Sequence, residues 1–448
     1  MIHRKAIRIG AGAGYSGDRV PPAVELAEKG ELDYLVFECL AERTIALAQL
    51  QRSQDARLGF DALLAARMRA VLPACAAQGV KIISNMGAAN PLAAGQEVIR
   101  VARELGIQKL KVAVVLGDDV LASVRAQDLP LMDSQGTLSS LGESVISANA
   151  YIGARGIVDA LAQGADVVIT GRVADPALFL APLVHEFGWS MSDWQKMGQG
   201  TLIGHLLECA GQITGGYFAD PGYRDVPNLA TLGFPIAEVG ENGVAVITKV
   251  AGSGGCVTTA TCTAQLLYEI ENPARYLQPD VIADFSKVTL TQIGPDRVQV
   301  EGGNGWPRPD TLKVTVGHRD GFIGEGQISY AGPGAQARGQ LALDVMQARL
   351  HAAGLGDFDG RYELIGVNAI LGDTLAQGYQ PYEVRARVAL RVSTKKQAEQ
   401  VANEVEALYL NGPAGGGGVT KSVREVIAAA SVLMPRDGIH TAVTFLEI

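Results

Sequence analysis

Three residues whose side chains can move protons or bind metals lie close together at His205, Glu208 and Cys209. Their spacing of three and four residues places them on one face of the helix that residues 200–210 predict. A carboxylate beside an imidazole fixes its tautomer and raises its basicity, which suits general acid/base catalysis. We therefore name His205 and Glu208 as candidate catalytic residues. Zinc binding and plain packing of the helix are the alternatives, and no metal is assigned because no spaced set supplies further ligands.

A second pair suited to ligand binding is Arg172 and Asp175, which follow the short apolar run of residues 166–170. An arginine just past a buried strand can present a planar fork to a carboxylate or a phosphate. The alternative is an ion pair that only holds the turn. Both interpretations stay open, because such a pair can also orient an arginine that binds ligand. We name both residues as candidate substrate-binding groups.

These side chains need a scaffold, and the first 170 residues alternate between short apolar runs and helical segments. The apolar runs at 6–9, 32–37, 80–84, 111–116 and 166–170 predict strands. Continuous Val, Ile and Leu separated by helices are typical of a parallel sheet that is covered on both faces. The predicted fold is therefore α/β, with a mostly parallel N-terminal sheet and helices on both faces.

Ligands of such sheets bind beyond the carboxyl ends of the strands. The polar residues at those ends should converge in space, and they are Ser16, Asp18, Glu38, Asn85, Asn90, Asp118, Arg172 and Asp175. Glu38 is a third candidate for proton transfer, because two acids at neighbouring strand ends can titrate apart. For Asp118 the alternative is N-capping of a helix. We predict that Ser16, Asp18, Asn85 and Asn90 bind substrate.

A first glycine loop follows the first predicted strand, where Gly12, Gly14 and Gly17 form a G-x-G-x-x-G pattern. Glu38 lies about where a ribose-binding acid would follow such a loop. The prolines at 21 and 22 displace the next helix several residues beyond the loop. A plain glycine turn at a ligand crevice is therefore the alternative to dinucleotide binding.

A second glycine loop contains Gly254 and Gly255 and precedes a helical segment at 256–270. Backbone N–H groups at a helix N-terminus favour a phosphate or a carboxylate, so both glycines are candidate anion-binding residues. No glycine loop carries the Lys-Ser/Thr of a nucleotide P-loop, which argues against ATP hydrolysis.

The second half of the chain has a different organisation. Hairpin-like strands at 234–239 and 244–250 replace the parallel alternation, so we place a boundary at 240. Residues 1–240 are expected to form an α/β domain with the ligand crevice. Residues 241–448 are expected to form an α+β domain that contributes to oligomerisation, with helices at 337–352, 394–408 and 421–430.

Composition narrows the classes of function. Of 448 residues, 48% are hydrophobic, which supplies a large core, and the net charge of −9 disfavours nucleic acid and anionic membranes as partners. The five cysteines form no CxxC pair, so a reduced, cytoplasmic compartment is expected. No apolar run approaches the length of a membrane span.

Long strings of the sequence resemble the acyclic terpene utilisation AtuA family. These strings are GAGAGYSGDR (10–19), ECLAERT (38–44), SNMGAANP (84–91), GRVADP (171–176), GHLLECAGQ (204–212) and SYAGPGA (329–335), and the resemblance runs over nearly the whole chain. The resemblance implies a cytosolic catabolic protein, linked to the breakdown of branched acids as coenzyme A thioesters. It carries over no catalytic residue.

Together these patterns favour a lyase or hydratase that acts on a polar carboxylate or an acyl-CoA thioester. A nucleotide-dependent oxidoreductase and a non-catalytic ligand-binding or scaffold subunit of a carboxylase or hydratase complex are the alternatives. We expect a homo-oligomer, which a small partner subunit could join, and the sequence assigns no cofactor.

Overall fold

The computed structural model describes residues 6–375, 378 and 380–448. Its strands, in chain order, are β1 (Ala6–Ala13), β2 (Tyr34–Phe37), β3 (Lys81–Ser84), β4 (Lys111–Leu116), β5 (Val145–Ala150), β6 (Val167–Thr170), β7 (Pro235–Gly240), β8 (Ala245–Lys249), β9 (Tyr276–Leu277), β10 (Ile282–Asp284), β11 (Thr289–Gly294), β12 (Arg297–Glu301), β13 (Asn304–Trp306), β14 (Thr311–Ala331), β15 (Gly360–Ile365), β16 (Glu383–Val392), β17 (Gly417–Pro435) and β18 (Ala442–Glu447).

The α-helices accompany these strands. They are α1 (Pro21–Lys29), α2 (Glu42–Gln54), α3 (Leu64–Gln78), α4 (Pro91–Glu104), α5 (Leu121–Arg125), α6 (Arg155–Ala162), α7 (Ala177–Phe187), α8 (Trp194–Glu208), α9 (Thr259–Leu266), α10 (Ala335–Ala352), α11 (Lys395–Glu406) and α12 (Leu408–Asn411).

The largest sheet has a parallel centre, β1-β2-β3-β6-β4, formed by the five predicted N-terminal strands. Every residue of β2 and β6 is buried, as expected for continuous apolar runs in a sheet with both faces covered. Antiparallel strands extend both sides: β7, β8, β12 and β11 beside β1, and β18 beside β4. The parallel centre aligns the carboxyl ends of five strands along one edge.

Helices cover both faces of this sheet. Gly95 of α4 lies against Val112 and Val114, whereas Gly156 of α6 lies against Val115. Successive strand residues point to opposite faces, so α4 and α6 lie on opposite sides of β4. Helices α1, α3 and α4 pack in succession in one layer, and α6, α7 and α8 in the other. The predicted α/β fold is confirmed.

The order of the strands reverses once in the parallel centre. The chain leaves β3 through α4 and enters β4, and it then returns through α6 to β6, which lies between β3 and β4. The helix after β3 covers one face and α7, after β6, belongs to the other layer. Neighbouring strands whose helices diverge leave an opening at their carboxyl ends. Asn85 and Arg172 follow these two strands.

The chain divides into two compact units, residues 1–317 with 429–448, and residues 318–428. In the second unit, α10 and α11 pack on β16, around a core that includes Ile328, Leu343 and Val388. This division by packing differs from the boundary expected at 240, which falls in the turn between the paired strands β7 and β8. The two domains expected from the sequence stay a prediction.

Local differences from the sequence prediction have physical reasons. The helix predicted at 421–430 is wrong, because these residues belong to β17, which pairs with β14. Their lysine, arginine and alanine content favours a helix, but pairing in a sheet overrides such propensities. Helix α6 begins at Arg155 and not earlier, since the Tyr151 N–H donates to the Lys313 carbonyl. Helix α9 covers only part of 256–270 and begins after the capping residue Thr258.

None of the helices in the described part of the chain combines the length and the apolar character that crossing a membrane requires.

Candidate active site

A cavity of about 600 Å³ lies at the carboxyl ends of β1, β2 and β6, within the first compact unit. Gly14, Glu38 and Asp175, which follow these strands, form part of its wall. We call it the acidic cavity after the ionisable residues that line it, which include Glu38, Glu42, Asp175, Glu208, Glu269 and Lys313. The expectation that ligands bind beyond the carboxyl ends of the strands, which we call the strand-end rule, thus indicated part of the wall of this cavity.

Glu38 is buried in the wall, directly after β2. Its Oε1 atom accepts hydrogen bonds of 2.8 Å from the Leu40 N–H and from Nδ2 of Asn85. Asn85 is held in turn, because its Oδ1 accepts a 2.7 Å bond from the Cys39 N–H. Burial, followed by the negative charge of Asp175, raises the pKa of Glu38 well above its usual value. Glu38 therefore favours the neutral, proton-donating form.

Arg172 and Asp175 form an ion pair at the turn after β6. The guanidinium of Arg172 is wholly buried and also donates to the carbonyls of Leu40 and Val173. Its Cζ lies 4.2 Å from the centre of the Tyr151 ring, in a cation–π contact. Asp175 reaches the cavity with 35% of its side chain exposed, whereas Arg172 is not part of the cavity wall. Arg172 therefore positions Asp175.

Asp175 is poised to change its protonation state near neutrality. Burial raises its pKa to about 7, even though the positive charge of Arg172 acts in the opposite direction. The charges of Glu208 and Glu42 raise it further. A carboxyl group with such a pKa serves well as a general acid or base.

Asp118 lies behind this pair, at the end of β4. One of its oxygens accepts the Arg172 N–H at 2.9 Å and Nδ2 of Asn149 at 2.8 Å. Burial raises the pKa of Asp118 to about 6. Asp118 is not part of the cavity wall and does not cap a helix, so its contact supports the turn that carries Arg172.

His205 and Glu208 form the predicted pair at the end of α8. Nδ1 of His205 is 2.8 Å from Oε1 of Glu208, and Nε2 is 3.2 Å from the Leu266 carbonyl oxygen. That carbonyl can only accept, so Nε2 carries a proton and the two residues share a further proton across the 2.8 Å contact. Glu208 lines the cavity, whereas His205 is wholly buried between Tyr276 and Phe285. His205 therefore acts through Glu208.

The environment of this pair maintains the shared proton. Burial lowers the pKa of His205, but the charge and hydrogen bond of Glu208, together with the backbone groups of Leu266 and Gln265, more than compensate, so that the pKa is raised. Burial also raises the pKa of Glu208. The second oxygen of Glu208, Oε2, is buried and has no hydrogen-bond partner in the described part of the chain. It can therefore accept a bond from, or donate a proton to, a bound ligand.

Glu42, Tyr151 and Lys313 form a third group in the wall. The Tyr151 hydroxyl donates to Oε1 of Glu42 at 2.5 Å, and Nζ of Lys313 donates to the same oxygen at 3.0 Å. Although burial opposes ionisation, these bonds lower the pKa of Glu42 to about 2. Lys313 has a side chain that is 40% exposed, so its ammonium can also approach a ligand.

The first glycine loop is closed on itself. The Gly14 N–H donates to Asp18 at 2.9 Å, so a carboxylate occupies an amide that a phosphate would use. Nη2 of Arg67 donates hydrogen bonds to the carbonyls of Tyr15, Ser16 and Asp18 and so holds the loop. Gly14 alone of the predicted loop residues reaches the acidic cavity among the described residues.

Gly12 and Gly17 meet aromatic rings rather than a ligand space, since an added Cβ would lie 2.7 Å from the rings of Phe37 and Tyr15 respectively. Ser16 lines a separate cavity of about 180 Å³, which Asn85 also reaches.

Asn90, Gly254 and Gly255 have structural partners outside the acidic cavity. Asn90 caps α4 and donates to two carbonyls of the segment before α3. The N–H groups of Gly254 and Gly255 donate to the carbonyls of Thr231 and Pro227. Of the residues predicted from the sequence, the cavity wall therefore contains Gly14, Glu38, Asp175 and Glu208, with Asn85, Arg172 and His205 directly behind.

Sequence reasoning missed Glu42, Tyr151 and Lys313 as part of this site. Glu42 lies in the string 38–44, one of those that carry the family resemblance, and this position could have indicated it. Tyr151 lies between β5 and α6, and Lys313 reaches the cavity from β14. Neither residue belongs to a local sequence motif that would indicate a site. Within the described residues, no group of three or more His, Cys, Asp or Glu side chains is arranged to hold a metal ion.

Comparison with other proteins gives one match. No curated protein and no solved structure matches the chain. The model of the acyclic terpene utilisation family, described as "Acyclic terpene utilisation family protein AtuA", matches residues 7–445. This match covers both compact units and every residue of the acidic cavity. The chain therefore belongs to the acyclic terpene utilisation AtuA family.

Proposed function

We propose that the protein is an acid/base enzyme of lyase or hydratase type, whose substrate is a carboxylic acid or its acyl-CoA thioester. The observation that carries this proposal is that Glu38 and Asp175 line one cavity and have raised pKa values from different surroundings. Pairs of carboxyl groups whose environments separate their pKa values are a recurring means of combining an acid and a base.

The surroundings assign a role to each carboxyl group. Asp175 contacts the Arg172 guanidinium, which favours its ionised form, so Asp175 is the base. An ionised Asp175 favours a neutral Glu38, so Glu38 is the acid. In the elimination direction, Asp175 takes a proton from the carbon next to the substrate carbonyl. Glu38 gives its proton to the departing hydroxyl, so that water leaves as the carbon–carbon double bond forms, and hydration is the reverse.

Lys313 and Glu208 complete the proposed arrangement. The Lys313 ammonium supplies a positive charge in the wall, which binds the substrate carbonyl or carboxylate oxygen. Oε2 of Glu208, backed by His205, provides a hydrogen bond for a substrate hydroxyl. Arg172 takes the role of a positioning residue in place of the carboxylate clamp expected from the sequence.

The family supports a catabolic role in the utilisation of acyclic terpenes, whose breakdown produces branched acids. The oxidoreductase alternative loses its main support, because the Asp18 carboxylate occupies the Gly14 amide in the glycine loop. A cytoplasmic location and a homo-oligomer remain part of the proposal.

Proton exchange tests the proposal before the true substrate is known. Branched saturated, 2-unsaturated and 3-hydroxy acids, free and as CoA thioesters, would be incubated with the protein in D₂O and analysed by mass spectrometry. We expect deuterium at the carbon next to the carbonyl of at least one member. Glu38→Gln should slow hydration of the 2-unsaturated members, in which Glu38 acts on the water, about 10²- to 10⁴-fold, whereas the exposed Glu301→Gln should not. No incorporation by the wild type across the panel contradicts the proposal.

A further inference from the structure

A cleft of about 320 Å³ lies beside the acidic cavity and is lined by three arginines. We call it the arginine cleft and define it by Arg155, Arg308 and Arg436, with His440. The arginines come from different parts of the sequence, namely the start of α6, the loop before β14 and the segment after β17. All of them belong to the first compact unit. The fold thus gathers positive charge locally in a chain whose net charge is −9.

The arginine cleft and the acidic cavity share a wall. Leu312 lines both. Nη1 of Arg436 donates to the Pro309 carbonyl at 2.6 Å, and Nη2 donates to the Pro279 carbonyl at 2.9 Å. Both prolines line the acidic cavity. A ligand that extends over this wall would therefore reach from the carboxyl groups to the arginines.

The guanidinium charges in the cleft are incompletely neutralised. Arg308 is exposed and has no hydrogen-bond or ion-pair partner in the described ranges 6–375, 378 and 380–448. Arg436 is bonded to neutral carbonyls, and burial together with the charge of Arg308 lowers its pKa. An anion between the two guanidiniums would relieve this repulsion.

Two acids, Asp280 and Asp437, line the cleft beside its three arginines, and their charges partly offset that of Arg436. Asp280 accepts the Ala154 N–H at 2.8 Å, at the start of α6, and is buried. Asp159 pairs with Arg155, at 3.0 Å from its Nε. Asp437 also lines the cleft but is exposed to solvent. The charge left for a ligand is therefore positive at Arg308 and Arg436.

The cleft also opens outward. Arg155 and Arg308 line a wider groove of about 890 Å³, whose wall includes Trp189 and Trp194. Asp159, which is paired with Arg155, is the one carboxyl group among the described residues that line this groove, so the groove is suited to binding rather than to proton transfer. Beyond the arginines there is consequently room for a bulky group.

We propose that the arginine cleft binds the phosphoryl groups of a ligand whose reacting end lies in the acidic cavity. The inference rests on the proposed function for the identity of the reacting end, and it assigns the phosphate-bearing portion of a thioester carrier to Arg308 and Arg436. Planar guanidiniums bind phosphate oxygens through paired hydrogen bonds. A substrate whose anionic group is a carboxylate alone would form fewer of these bonds in the cleft.

Binding of substrate fragments tests this assignment without turnover. Isothermal titration calorimetry would compare coenzyme A, pantetheine (which lacks the phosphates) and inorganic pyrophosphate on the full chain. Arg308→Gln should weaken coenzyme A binding about tenfold or more, as expected for a lost charged hydrogen bond. It should leave pantetheine binding unchanged, and Arg308→Lys should restore part of the affinity. The exposed Arg361→Gln, in β15, is the matched control and should bind like the wild type.

Three results would overturn the assignment. Coenzyme A that does not bind the wild type, or that binds Arg308→Gln equally well, removes the phosphate site. Pyrophosphate that binds at Arg308 but is not displaced by coenzyme A makes the cleft a site for a free anion only. The proposed chemistry is tested separately, because proton exchange on the free acids of the panel involves no phosphoryl group and so does not depend on the arginine cleft.

Discussion

Nδ2 of Asn85 donates a 2.8 Å hydrogen bond to Oε1 of Glu38, the same oxygen that accepts from the Leu40 N–H. Two donors on Oε1 leave the other oxygen, Oε2, as the position for the proton of a neutral carboxyl group. The ends of β2 and β3 thus determine which oxygen of Glu38 can donate to a ligand, whereas burial and the charge of Asp175 keep its pKa raised.

Glu38→Gln should stabilise the protein at alkaline pH. The pKa of Glu38 is raised in the folded state, so its folded form holds a proton that the unfolded chain releases. The stability from this group is fully present below the unfolded pKa of about 4.3 and is lost as pH rises through the folded pKa. A glutamine resembles the neutral acid and does not lose stability in this way.

Urea denaturation at pH 5 and pH 8 measures this effect. The gain in unfolding free energy of Glu38→Gln over the wild type should be larger at pH 8. For the exposed Glu301→Gln the difference from the wild type should be the same at both pH values. A gain for Glu38→Gln that is independent of pH would show that Glu38 is already ionised in the folded protein.

Glu208→Gln should reverse the pKa shift of His205. Burial lowers this pKa, and the charge and hydrogen bond of Glu208, together with the backbone groups of Leu266 and Gln265, raise it by more. Without the carboxylate, burial dominates and the pKa should fall below its ordinary value. NMR titration of the imidazole signals measures it, with His205→Phe used to assign the resonance. An unchanged His205 pKa in Glu208→Gln would remove the pair from the account.

Lys313→Gln should mainly impair substrate binding. Its ion pair with Glu42 is 40% exposed on the lysine side, so the cost in stability should stay below about 1 kcal/mol. If Lys313 binds the substrate carbonyl or carboxylate in ground and transition states alike, KM should rise about tenfold while kcat changes little. Steady-state kinetics measures both, with the remote Lys421→Gln as control. An unaltered KM would place the substrate away from Lys313.

Gly14→Ala should destabilise the wall of the acidic cavity. An added Cβ would lie 2.5 Å from the backbone carbon of Cys209, at the end of α8, and neither backbone can move freely. Overpacking of this kind costs roughly 1–3 kcal/mol. The control is Gly417→Ala, which meets nothing within 4 Å and should change the unfolding free energy by less than about 0.5 kcal/mol. Equal stabilities of the two variants would show that α8 can withdraw.

Much of the site followed from the sequence because parallel strands have a distinctive apolar signature. The continuous runs located β2, β3 and β6, and the strand-end rule then indicated Glu38, Asn85, Arg172 and Asp175. The same rule also indicated Asn90, which caps α4. The rule cannot distinguish a residue that faces a ligand from one that caps the following helix.

Other features depended on tertiary structure. Lys313 meets Glu42 across 271 positions of the sequence, and no local pattern indicates such a contact. Residues 421–430 have helical propensity but pair as a strand. The direction in which Arg172 points was also undetermined, since burial under Tyr151 turns its guanidinium toward Asp175 and away from a ligand.

The most direct test of the central claim, that Asp175 is the proton-accepting base, is the pH dependence of proton exchange in the wild type and in Asp175→Asn. With a pKa of about 7, Asp175 is protonated at lower pH, so the wild-type rate should fall as pH decreases through 7. Asp175→Asn should lose about 10²- to 10⁴-fold in rate and lack this inflection. The exposed Asp344→Asn should keep the wild-type profile. A profile for Asp175→Asn that retains the rate and the inflection near pH 7 would contradict the account.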